Sequence, residues 1–111
     1  MEAGMSSSSG YKIIYRFTLK PGVWNEFIGL QRQAHAIYSK HVPYQLEFVR
    51  SEVDPDDVME IQTYASQGDA KKTENLHEAE PDLARLFQSF LVLLDPAKGS
   101  IETIVGESID L

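Results

Sequence analysis

The sequence predicts an α+β fold in which a four-stranded antiparallel sheet carries two helices on one face. Three observations predict it. Four short runs alternate with period two, two longer runs carry an apolar stripe at helical period, and an acidic proline turn joins the two middle strands into a hairpin. The order of elements is β-α-β-β-α-β.

Tyr11, Ile13, Tyr15, Phe17 and Leu19 alternate with Lys12, Ile14, Arg16 and Thr18 until Pro21-Gly22 ends the first strand. From Val23 to His41 the period changes. Val23, Trp24, Phe27, Ile28, Leu30, Ala34, Ile37 and Tyr38 share half a helical wheel, and Val42-Pro43 stops the helix. Two further alternations follow, Tyr44 to Val53 and Val58 to Tyr64, separated by Asp54-Pro55-Asp56-Asp57. Asp in first place and Pro in second suit a type I turn. Residues 69–80 are polar with helical propensity, and Pro81-Asp82 suits a helix start because proline needs no amide donor there. Leu83, Leu86, Phe87, Phe90, Leu91, Leu93 and Leu94 form the stripe of the second, more apolar helix. Ile101, Thr103 and Val105 mark the last strand.

Both stripes are buried best on a single sheet face, and right-handed crossovers then give the ferredoxin-like strand order 4-1-3-2. The helix-side face is expected to hold Tyr11, Ile13, Tyr15, Phe17, Leu46, Phe48, Met59, Ile61, Ile101 and Val105. The opposite face is expected to hold Ile14, Arg16, Thr18, Gln45, Glu47, Val49, Glu60, Gln62, Tyr64, Glu102 and Ile104. This mixture is too polar for a core and too apolar for a fully solvated face. It predicts a wet interface closed by two-fold symmetry, with Arg16, Glu60, Gln62 and Glu102 as dimer-interface residues and Arg16 pairing with Glu60 or Glu102.

Composition narrows the function. Ten basic and 17 acidic side chains give a net charge of -7, which argues against a nucleic-acid or anionic-membrane surface, since both bind through clustered Lys and Arg. The acidity is local: residues 11–50 hold six basic and two acidic side chains, residues 51–111 four and fourteen. The absence of cysteine excludes disulfides, thiolate metal sites and a cysteine nucleophile. No apolar run reaches the roughly 18 residues of a membrane span, and a cytoplasmic protein is expected. The serine-rich stretch within residues 1–10 cannot offset its ordering entropy, so a flexible tail is expected there and a single domain over 11–111.

The strand Tyr11-Lys12-Ile13-Ile14-Tyr15-Arg16-Phe17 followed by Lys20-Pro21-Gly22, the strand Met59 to Ser66 leading into a helical segment, and the run Leu83 to Leu94 together resemble the dimeric α+β-barrel superfamily. Within it the chain is similar to antibiotic-biosynthesis-monooxygenase-like domains. The resemblance implies two sheets packed into a barrel across a homodimer, a ligand pocket between each sheet and its helices, and activities that include cofactor-independent oxygenation and haem degradation. Haem-degrading relatives carry an Asn on the first strand, a Trp at the end of the third and a His on the following helix. Here the first strand has no Asn, Tyr64 stands where the Trp would be, and only His77 matches.

Among the residues themselves, Trp24, His35, Tyr38, Tyr64 and His77 are the pocket candidates. His35 lies at the edge of the first apolar stripe, and the aromatics offer walls for a planar molecule. No histidine pair has the i, i+4 spacing of a zinc site, no phosphate-binding glycine loop or Gly-x-Ser-x-Gly elbow occurs, and neither a metal nor a cofactor is expected. No constellation names a catalytic residue. The expected function is that of a small homodimeric domain, either a cofactor-independent oxygenase or a binder of an aromatic or polyketide-like molecule. A non-catalytic dimeric module of the stress-responsive type is the alternative.

Overall fold

The computed structural model describes residues 10–109 and Leu111. The elements are β1 (Tyr11–Thr18), α1 (Trp24–His41), β2 (Tyr44–Arg50), β3 (Asp57–Tyr64), α2 (Gln67–Ala79), α3 (Pro81–Leu91), a 3-10 turn (Pro96–Lys98) and β4 (Glu102–Glu107). The sheet runs β2-β3-β1-β4 and every pair is antiparallel, which is the expected order viewed from the other edge. Residues 1–9 of the expected tail lie outside the described residues. Gly10, counted with that tail, is buried, and its carbonyl accepts from the Ser108 amide at 2.9 Å.

Local chemistry explains the boundaries. Gly22 adopts φ +82 after Pro21, a conformation that glycine alone takes at little cost, and this turns the chain from β1 into α1. Val42, extended ahead of Pro43, ends α1 and is itself buried. In the β2–β3 turn the Asp57 amide donates to the Asp54 carbonyl at 3.0 Å, the closing bond of a four-residue turn, while Asp54 Oδ1 accepts from the Asp56 amide.

Two features differ from expectation. The polar stretch before Pro81 is a helix in its own right: Ser66 Oγ accepts from the Asp69 amide at 3.2 Å to cap α2, and Glu80, extended at φ -118, separates it from α3. The second helix also stops earlier than its stripe. The Leu93 carbonyl accepts from Lys20 and the Asp95 amide donates to Thr18, so Leu93 and Leu94 pair alongside the continuation of β1.

The helices cover one sheet face, and the core there has two parts. Phe27, fully enclosed, meets Phe17, Trp24, Phe48 and Phe90 with ring centroids 5.4–5.9 Å apart. The second cluster joins Ile13, Val42, Tyr64 and Ala70.

Register corrects the faces of β3. Phe17 stands opposite Val58, Tyr15 opposite Glu60, Ile13 opposite Gln62 and Tyr11 opposite Tyr64, so the even-numbered residues of β3 share the helix side with the odd residues of β1. Val58 and Tyr64 are buried, whereas Met59 lies exposed on the outer face with Ile61 beside it. Glu60, Gln62 and Tyr64 therefore point toward the helices. Glu60 and Gln62, expected at a dimer interface, stand where a partner on the outer face does not reach them. The outer face instead carries the row Glu47–Ile61–Ile14–Ile104 beside the row Val49–Met59–Arg16–Glu102. Arg16 does not meet Glu60 there. It forms a bidentate pair with Asp57, Nη2 to Oδ2 at 2.9 Å and Nε to Oδ1 at 3.4 Å, with Glu102 opposite it in register. β4 is exposed along its whole length, and Val105 remains half-exposed because no helix lies over it.

Candidate functional site

Between the two apolar clusters the sheet presents a polar strip, and a cavity of about 120 Å³ stands above it. Three sheet residues form the floor: Tyr15 from β1 and Glu60 and Gln62 from β3. α1 contributes Leu30, Ala34 and Tyr38, which a spacing of four places on one helical face, together with Gln31. α3 supplies Leu83, Leu86, Phe87 and Phe90, and α2 supplies His77 at the open side.

The polar groups are connected. Tyr64 Oη donates to Gln62 Oε1 at 2.8 Å, and Gln62 Nε2 donates to Glu60 Oε2 at 2.5 Å. At the mouth Tyr38 Oη and His77 Nε2 are 2.6 Å apart. Glu60 is only 9% exposed, and burial away from water pushes its carboxyl above the ordinary value, the bond from Gln62 offsetting part of that rise. Burial likewise raises Tyr15 and Tyr38, with the nearby Glu60 adding to both, and pushes Tyr64 up to about 12, the nearby Thr73 hydroxyl offsetting part of that rise. These phenols keep their protons throughout the neutral range and serve as hydrogen-bond donors. The cavity thus combines a buried carboxyl, an imidazole at the mouth, neutral donors and hydrocarbon walls, which equips it to orient a small planar molecule and to exchange a proton with it.

Of the residues expected in a pocket, Tyr38 and His77 line this cavity, and Tyr64 stands one hydrogen bond behind its floor. Trp24 lies elsewhere, packed on Phe27 with the Arg50 guanidinium 4.0 Å above its ring. His35 faces the flank of α1, where its Nδ1 is 2.7 Å from Tyr44 Oη in a shallow dent with Ile28, Leu46 and Phe48. Gln31, Glu60 and Gln62 were not expected in the cavity. The available signal for the last two was a pair of polar residues set among Val58, Met59, Ile61 and Tyr64 of a central strand, a local rule broken where function tends to sit. Among the described residues no group of three or more His, Asp or Glu side chains is placed to hold a metal ion.

Solved structures with the same arrangement were found at low sequence identity. SnoaB, a cofactor-independent oxygenase from Streptomyces nogalater, superposes with a TM-score of 0.69 at 12% identity, covering 93% of this chain and 96% of its own. An antibiotic biosynthesis monooxygenase gives 0.67 at 13% identity, over 90% and 99% of the two chains. The chain has the fold of the antibiotic-biosynthesis-monooxygenase-like domains. A NIPSNAP family protein of unknown function from Agrobacterium tumefaciens shares it as well, with a TM-score of 0.69 and 16% identity over 90% of this chain and 88% of its own. No protein-family model matches the chain, and no curated protein matches it. Likeness at this level carries architecture and leaves activity to the site.

Proposed function

We propose that the domain is a homodimer that binds a one-ring aromatic molecule between sheet and helices and oxidises it with molecular oxygen, without a cofactor. The observation that carries this is Glu60, a buried carboxyl on the floor of a cavity with hydrocarbon walls, held by Gln62. Volume supports the size of the ligand: an engineered cavity of about 150 Å³ accepts benzene, so a cavity of this size suits one ring rather than a fused polyketide.

In the proposed reaction Glu60 accepts a proton from an activated C–H or O–H of the ligand. The resulting anion gives one electron to oxygen, the two radicals combine as a hydroperoxide, and loss of water leaves a carbonyl. One oxygen molecule is consumed for each CH₂ converted to C=O, and the second oxygen atom leaves as water. Tyr15, which keeps its proton, donates to the oxygen that gains charge, while Tyr38 stays engaged with His77 at the mouth. The homodimer is proposed on the outer face, where the Ile61–Ile14–Ile104 row offers an apolar centre with polar neighbours.

The test is oxygen consumption with electron-rich hydroxyarenes by wild type and Glu60→Gln. Turnover by the wild type and its loss in a folded variant are expected. Oxygen uptake that persists in Glu60→Gln removes the acid–base role. A non-catalytic dimer module is the second reading, favoured by the small volume of the cavity. It predicts no oxygen uptake with any such compound.

A further inference from the structure

The cavity wall contains one carboxyl, two amides, two phenols, one imidazole and hydrocarbon, with no lysine or arginine. His77, the one group there able to carry a positive charge, is engaged with Tyr38 at the mouth. An anionic ligand would lie against Glu60 with no lysine or arginine to compensate the like charge.

The carboxyl is also oriented from behind. Because Tyr64 Oη donates to Gln62 Oε1, the amide must turn its Nε2 toward Glu60, and Oε2 of Glu60 is occupied. Among the described residues every fully buried side-chain polar atom has a partner, and Gln62 is the side-chain partner of Glu60. The second carboxyl oxygen of Glu60 therefore meets the open space of the cavity. It offers one acceptor position. A hydroxyl has one donor to place there and enters neutral, whereas an ammonium must shed the hydration of a full charge, a cost that one carboxylate only partly offsets.

We propose that the cavity selects a neutral one-ring hydroxyarene whose hydroxyl donates to the open oxygen of Glu60, with Gln62 and Tyr64 as the positioning residues that hold that oxygen in place. This rests on the proposal that the cavity binds a one-ring aromatic, and it adds the chemical class and the residues that choose it. Hydrocarbon contacts from α1 and α3 then supply affinity common to any small ring, and the carboxyl supplies discrimination. Tyr64 touches no ligand in this arrangement. Its contribution is to keep the Gln62 N–H on Glu60.

The experiment compares binding of 4-methylphenol, benzoate, benzylamine and toluene by calorimetry or NMR titration. For wild type at pH 8, 4-methylphenol binds roughly tenfold more tightly than benzoate or benzylamine, the worth of one charge-assisted hydrogen bond. Glu60→Gln weakens 4-methylphenol by a similar factor and leaves toluene unchanged, which also shows that the variant retains its fold. Tyr64→Phe lets the Gln62 amide turn away, so the pH at which 4-methylphenol binding is half lost on acidification moves upward while toluene binding stays flat with pH. The titratable groups facing Glu60 are Tyr15 from β1, Tyr44 from β2, Tyr38 from α1, Tyr64 on its own strand and His77 from α2; α3 presents none. The comparison is therefore repeated in His77→Gln, which removes imidazole protonation. Benzoate or benzylamine binding as tightly as 4-methylphenol, intact 4-methylphenol affinity in Glu60→Gln, or an unmoved midpoint in Tyr64→Phe each overturns the selection while leaving the cavity proposal standing. Failure of all four compounds, toluene included, overturns both.

Discussion

Tyr38 Oη lies 2.6 Å from Nε2 of His77 and joins α1 to α2 across the mouth of the cavity. Three residues further along each segment, at the last residue of α1 and just past the end of α2, His41 Nε2 and Glu80 Oε1 make a second contact at 3.3 Å. Between them these two contacts tie down a helix that buries only Ala70 and Thr73.

Tyr38→Phe removes the first tie and nothing from the core. Amide exchange is expected to quicken across residues 67–79 by an opening free energy lowered by about 1 kcal/mol, the net worth of one hydrogen bond, with the strands unaffected. Equal acceleration in β1 and β3 would show that the bond matters globally rather than at α2.

Glu60 makes stability depend on pH in a direction opposite to most carboxylates. Its folded value lies above the ordinary 4.5, so the folded chain keeps a proton that the unfolded chain has lost. Stability then falls as pH rises from about 4.5 through the raised folded value and levels off beyond it. Glu60→Gln has no such proton. The Tm difference between the two proteins is expected to widen in favour of the variant over that window, and parallel Tm curves would sink the prediction.

Phe27 has four aromatic neighbours and no exposed surface. Truncation to alanine leaves a cavity at the centre of the larger cluster and is expected to cost about 3–5 kcal/mol, a large part of the stability of a domain this size. Urea denaturation measures it. A loss under about 1 kcal/mol would mean that the cluster closes over the gap.

On the proposed dimer face Ile14 pairs with both Ile61 and Ile104. Ile14→Lys places a charge at the centre of that row, and sedimentation is expected to show monomer. Arg16→Glu, which sets a carboxylate opposite Glu102 and beside Asp57 of its own chain, is expected to lower stability through like charge, less so as salt rises. A dimer unchanged by Ile14→Lys places the contact elsewhere.

The sheet order, the β2–β3 turn and the faces of β1 and β2 were legible because each rests on clean alternation or on a turn whose chemistry is local. β3 was not. It carries apolar residues on both faces, Val58 and Tyr64 on one and Met59 and Ile61 on the other, so hydrophobicity alone favoured the wrong one. Pairing would have decided it: every even residue of β2 stands opposite an even residue of β3, and Phe48 faces the helices, so Glu60 must as well. That single parity error moved the acid at the centre of the candidate site onto the outer face. Tyr38 and His77 were legible as aromatic and titratable residues on helices, but their contact joins positions 39 residues apart and is set by how α2 folds back.

Trp24 is the sole tryptophan of the chain, wedged between Phe27 and the Arg50 guanidinium at a place outside the cavity lining. Its emission is therefore an internal gauge of whether α1 sits on β2, bright or quenched with the fold itself. Occupation of the cavity should leave that signal nearly silent, so unfolding and binding can be followed in one sample through separate optical channels.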